Sequence, residues 1–140
     1  MAQEFPGRLF QDTDFEVEGF QNKKLEGLIG VLDREAPERG PILVYIKAED
    51  QAWQQFFLDA GIGFWENWGE IDLDDPSFLY IDFANEFKIG HKTIYAIYCQ
   101  DSRITIEFIT NEKIVLRYVD PADIESECEL VVVPIVETLY

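Results

Sequence analysis

Residues 63–75 read GFWENWGEIDLDD: two tryptophans three apart, Trp65 and Trp68, run into a burst of carboxylates. Aromatic rings beside carboxylates can do two kinds of chemistry. The carboxylates can offer oxygens to a hard cation, or the rings can anchor a partner inside a charged rim. For a cation, Asp72, Asp74 and Asp75 sit within one loop and Glu70 lies nearby. Calcium takes about six to eight oxygens, and the loop lacks the central glycine and the closing glutamate of an EF-hand. Asp-Asp-Pro is an ordinary turn opener, so the expectation is a solvated acidic loop and no metal. For a partner, the candidate binding residues are Trp65, Trp68, Glu66, Glu70 and Asp72. The two rings share a face if the segment is helical. Otherwise one ring plugs the core.

The other reactive residue types have no company. His91 is the single histidine and sits in IGHKT, a turn-like stretch beside Lys92. Any Ser-His-Asp or Cys-His site must use it. The serines, Ser77, Ser102 and Ser126, lie outside any GxSxG elbow. Cys99 and Cys128 form no CxxC and have no histidine at zinc-site spacing. Phosphate-binding glycine motifs are missing. With 28 carboxylates, accidental acidic pairs are guaranteed, so no pair argues for glycoside cleavage. The sequence therefore points away from catalysis, with no catalytic residue and no cofactor.

Charge narrows the partners. The 140 residues carry a formal net charge of −17, from 28 Asp and Glu against 11 Lys and Arg. Nucleic acid and anionic membranes are poor partners for such a surface, because both are held by clustered cations. A basic protein fits. The start, MAQEFPGRLF, has no basic region followed by an apolar run, and no stretch of about 18 apolar residues occurs. Two cysteines without framework spacing suit free thiols in a reducing cytoplasm.

These residues need elements to hold them. At 47 % hydrophobic and 14 % aromatic, the chain can build a core rich in rings. REAPERGP, at 34–41, is the clearest loop and the one place where a single domain over residues 1–140 could divide. In NKKLEGLIGVLDRE, Leu25, Leu28, Ile29 and Leu32 follow a helical spacing, with a strand through LIGVL as the rival. EDQAWQQFFLDAG sets Trp53, Phe56, Phe57 and Ala60 on one helical stripe, capped by Asp50 and ended by Gly61. A hairpin turning at 59–61 is its rival. FEVEGF, PILVYIK, SFLYIDF, TIYAIYC, RITIEFIT, KIVLRYV and CELVVVPI read as strands. TIYAIYC, apolar on both faces, is expected at the centre of the sheet. Parity sets one hairpin: a loop at 111–113 pairs Phe108 with Leu116, Ile106 with Tyr118 and Glu107 with Arg117. The expected fold is α+β, a mainly antiparallel sheet of five or six strands with one or two helices packed on one face.

This profile of a small, acidic, cytosolic α+β protein resembles bacterial immunity or antitoxin-type proteins. The likeness is one of class, carried by composition and no motif. It implies a non-catalytic interaction protein that binds a basic partner. Two other functions fit the same residues. One is a small-molecule or enzymatic domain with an aromatic-lined pocket between helix and sheet. The other is an oligomerising domain that uses LVVVPIVETLY as an added strand, giving a homo-oligomer through the C-terminal strand.

Overall fold

The computed structural model describes residues 9–12 by their backbone, and 14–120, 122, 123 and 127–133 in full. Strands dominate the described residues, with very little helix. It forms β1 (Leu9–Asp12), β2 (Phe15–Val17), β3 (Leu25–Asp33), β4 (Pro41–Ala48), β5 (Trp53–Asp59) and β6 (Ile62–Gly69). There follow β7 (Phe78–Asp82), one short helix α1 (Phe83–Glu86), β8 (Ile94–Gln100), β9 (Arg103–Phe108), β10 (Lys113–Tyr118) and β11 (Cys128–Val133). Two antiparallel sheets result. One runs β1-β6-β5-β4-β3-β7 and the other β11-β10-β9-β8-β2. The α+β expectation is wrong: the second layer is a sheet, where helices were expected. The α+β part of the likeness to immunity or antitoxin-type proteins falls with it.

Both expected helices are strands, for a common reason. Apolar residues at i, i+3 and i+4 satisfy a helical stripe, but they equally populate both faces of a strand. In β5 Phe56 turns inward and is fully buried, while Trp53 and Phe57 turn outward and are partly buried. Ala60 (φ 53°) and Gly61 (φ 82°) close β5 onto β6 as a two-residue hairpin. Both central residues of such a turn need positive φ, which supplies its strand-matching twist. In β3 the two glycines that weaken a helix are seats for rings. A Cβ on Gly27 would lie 2.4 Å from the Trp53 ring, and one on Gly30 2.3 Å from the Phe83 ring.

One continuous core lies between the sheets. Leu28, Ile46 and Phe56 come from one side, and Ile97, Ile106 and Phe108 from the other. Ile94, Leu116 and Tyr118 are buried with them. The faces expected for β9 and β10 are therefore correct, but their register is not. The loop spans 109–111, closed by the Phe108 N–H to Glu112 O bond at 2.9 Å. Ile106 faces Ile114, Glu107 faces Lys113, and Arg117 pairs with Glu129 on β11 at 3.0 Å. Asn111 takes φ 73°, the left-handed position that ends a three-residue hairpin loop. β8 is interior, between β9 and β2, but buried on one face; Tyr95 is 52 % exposed. Residues 34–40 join the neighbours β3 and β4 through a 3-10 turn at Pro37–Arg39.

A clamp ties the sheets at one end. The Gly61 N–H donates to the Tyr118 hydroxyl at 2.9 Å, and the Ser102 hydroxyl donates to the Gly61 carbonyl at 2.9 Å. Among the described residues no helix is long and apolar enough to cross a membrane.

Candidate functional site

In a strand, residues three apart face opposite ways. β6 therefore separates the two tryptophans that a helix would have put together. Trp65 turns inward, stacked between Phe15 and Phe56 with ring centroids 6.4 Å from each. Its indole N–H donates to the buried Gln54, whose amide in turn donates to Gln51 at 3.2 Å. Trp65 is thus a core residue with its one polar atom satisfied. Trp68 turns outward, 42 % exposed, and leans on Tyr45 at 6.1 Å.

The outer face of the six-stranded sheet is where the rings gather. Alternation along β4, β5 and β6 brings Tyr45, Trp53, Phe57, Phe64 and Trp68 to it. Phe57 and Phe64 lie directly opposite and stack at 4.6 Å with 5° between planes. β7 adds Phe78 and Tyr80, edge to face at 6.4 Å. Glu66 shares this face and accepts a hydrogen bond from Gln55 at 3.1 Å. Burial holds the Tyr45 hydroxyl above the ordinary tyrosine range, with Tyr80 and Glu66 adding to it.

The acidic segment belongs to the same face through sheet order. β5, β4 and β3 separate β6 from β7, so residues 70–77 cross four strand spacings, about 19 Å. The crossing is fixed at its far end. Arg34 donates to the Pro76 carbonyl at 2.8 Å and to the Phe78 carbonyl at 3.2 Å. Asp72, Asp74 and Asp75 are exposed. The Tyr80 hydroxyl is raised by burial first, then by Asp75, with Asp72 and Asp74 contributing. Three carboxylates thus stand close to that ring. Glu70 is exposed just beyond β6.

Of the five residues singled out from the sequence, Trp68 and Glu66 lie on this face. Glu70 and Asp72 belong to the segment that runs past it, and Trp65 is excluded. Tyr45, Trp53, Phe57, Phe64, Phe78 and Tyr80 were missed. Reading WQQFFLD and GFWEN at period two would have found three of them, Trp53, Phe57 and Phe64.

The remaining candidates stand apart. His91 is exposed in a turn at φ 70°. Among the described residues no three of His, Cys, Asp and Glu converge as a metal would need. Cys99 and Cys128 are free thiols, and burial pushes Cys128 up to about 11, so at neutral pH it is a poor nucleophile. An open groove of about 590 Å³ lies between β3 and α1, lined by Gly27, Trp53, Asp82, Asn85 and Lys88. It extends the aromatic face sideways. The arrangement offers contact area and negative charge, with no activated nucleophile and no paired acid and base. Comparison with protein-family models, curated proteins and solved structures gives no match.

Proposed function

We propose that this chain is a non-catalytic interaction protein whose outer six-stranded face docks a basic protein partner. The observation that carries the reading is the aromatic face built around Tyr45 and Trp68, with Glu66 on it and Asp72, Asp74 and Asp75 alongside. Rings supply area that gains from leaving water, at about 25 cal/mol per Å² of apolar surface. The carboxylates select a cationic counterpart and speed its approach. Two cations beside this face are already engaged. Lys47 pairs with Glu26 at 2.7 Å, and Arg34 is spent on backbone carbonyls. The net charge of −17 extends the same preference over long range. A cytoplasmic setting is part of the proposal, supported by the two free thiols.

A photo-crosslinking side chain placed at Trp68, and separately at Tyr98 on the opposite sheet, tests this in the native cell. The expected result is an adduct with a basic protein from position 68 and none from position 98, with yield falling as salt rises. Equal adducts from both positions, or adducts with acidic proteins alone, would contradict the proposal.

A further inference from the structure

We infer that β11 pairs antiparallel with β11 of a second copy of this chain, with Val131 on the two-fold axis. β11 is a sheet edge: among the described residues only β10 lies beside it. The register says where its backbone groups point. The Val119 N–H donates to the Glu127 carbonyl at 2.8 Å, in line with the β10–β11 pairing. Bonded pairs recur at every second residue of an antiparallel ladder. Arg117 with Glu129, Val115 with Val131 and Lys113 with Val133 are therefore bonded pairs. Cys128, Leu130 and Val132 turn their N–H and C=O groups away from β10. The bond from Phe108 N–H to Glu112 O fixes the β9–β10 ladder in the complementary phase, turning Ile114 and Leu116 toward β9.

Cys128 is covered. A Cβ on Gly40 would lie 2.1 Å from the Cys128 carbonyl oxygen, so the Gly40 backbone sits against that end of the edge. Leu130 and Val132 remain, and among the described residues nothing takes their four outward backbone groups. Such an edge pairs with another strand unless a charge, a proline, a bulge or a cover prevents it. The edge at β7 is protected at both its ends. There the Arg34 N–H to Ser77 O bond sets the phase that turns Phe78, Tyr80 and Asp82 outward. The Phe78 N–H is taken by Asp75, its carbonyl by Arg34, and Asp82 opens α1. β1 and β2 have four and three residues.

A second copy fits the open groups without remainder. Centred on Val131, each Leu130 lies opposite Val132 of the other copy, and all four groups on each chain find partners. Centring on Leu130 would need Cys128, which Gly40 covers. Charge also favours this edge for a protein that repels its own copies. Glu129 is paired with Arg117, Glu127 with Arg39 at 3.6 Å, and Lys113 lies opposite Val133. Val132 is 36 % exposed, and Ile42, on the β4 strand that packs against β11, is 48 % exposed.

Sedimentation equilibrium of the full chain tests the pairing. The expected result is a dimer whose dissociation constant falls as salt rises, because salt screens the repulsion between two copies of charge −17. Docking of a basic partner has the opposite salt dependence, so failure of one reading leaves the other distinguishable. Val132→Pro deletes an N–H that β10 does not use, so it should keep the fold and weaken the dimer at least about tenfold. In a Cys128→Ser background, oxidised Val131→Cys should cross-link two chains. Facing unbonded residues bring their Cα atoms to about 4.5 Å, within disulfide reach. Leu130→Cys should not cross-link. A chain that stays monomeric at high salt, a dimer indifferent to Val132→Pro, or cross-linking at 130 in preference to 131 would overturn the inference.

Discussion

The two sheets share one core but present different outer faces. Outside the five-stranded sheet, Tyr98 faces Thr105, Glu107 faces Lys113 and Arg117 faces Glu129. Val115 and Val131 sit between these pairs, so the face mixes charged pairs with small apolar side chains where the other sheet gathers rings. Outside the six-stranded sheet the same positions are filled by Tyr45, Trp53, Phe57, Phe64 and Trp68, with α1 beside one margin near Trp53. Burial alone asks each sheet for one apolar face. The second apolar face on one of them goes beyond what one core requires: its rings are partly buried against one another, Trp68 is 42 % exposed, and ring-rich surfaces of this kind mark contacts. The acidic crossing from β6 to β7 runs past this face and not past the other.

The largest expected effect removes what both faces share. Phe108 is fully buried between the sheets. Phe108→Ala should cost about 3–5 kcal/mol in chemical denaturation and impair both faces together. A cost below about 1 kcal/mol would mean that the sheets do not depend on a common core.

Next comes the contrast itself. Trp68→Ala and Tyr45→Ala should each weaken capture of a basic partner by about 2 kcal/mol, the size of an interface hot spot, while changing stability little. Tyr98→Ala should leave capture unchanged. Equal losses at Tyr98 would erase the distinction between the faces. A smaller effect probes the clamp between the sheets. Tyr118→Phe deprives the Gly61 N–H of its acceptor and should cost about 0.5–1.5 kcal/mol without altering capture.

The smallest effect is alkaline. Tyr45 and Tyr80 on one face and Tyr98 on the other are all held above the usual value of 10.0, with burial the leading cause. A raised folded value favours the neutral form. Its stabilising contribution is complete below pH 10 and is lost as pH rises through the folded values. Melting temperature should therefore fall above pH 10, in step with tyrosinate absorbance at all three sites. Ionisation of Tyr45 and Tyr80 at the value of a free tyrosine would contradict the packing of the aromatic face.

Much of the five-stranded sheet was readable from the sequence, because RITIEF alternates, KIVLRY departs from alternation only at Val115, and their parity fixed the buried face. The register error left that parity intact. The actual pairing differs from the expected one by an even number of residues, so every side chain kept its face while every partner changed. Asn111 held the missing clue, since asparagine tolerates the positive φ that ends a three-residue hairpin loop. The six-stranded sheet was harder to read because its strands are apolar on both faces. WQQFFLD has rings at 53, 56 and 57, which a helix gathers into one stripe and a strand divides between core and surface. That division is the candidate site, so misreading the element hid the site as well. Gly27 and Gly30 counted against a helix, yet only the fold shows Trp53 and Phe83 resting on them.

Hydroxyl-radical footprinting of the chain, alone and bound to the basic protein captured from position 68, tests the two-face account most directly. Trp68, Tyr45 and Tyr80 should lose reactivity on binding, while Tyr95, 52 % exposed on the opposite sheet, should keep it. Protection of Tyr95 and Tyr98 with Trp68 unchanged would place the contact on the wrong sheet and contradict the account.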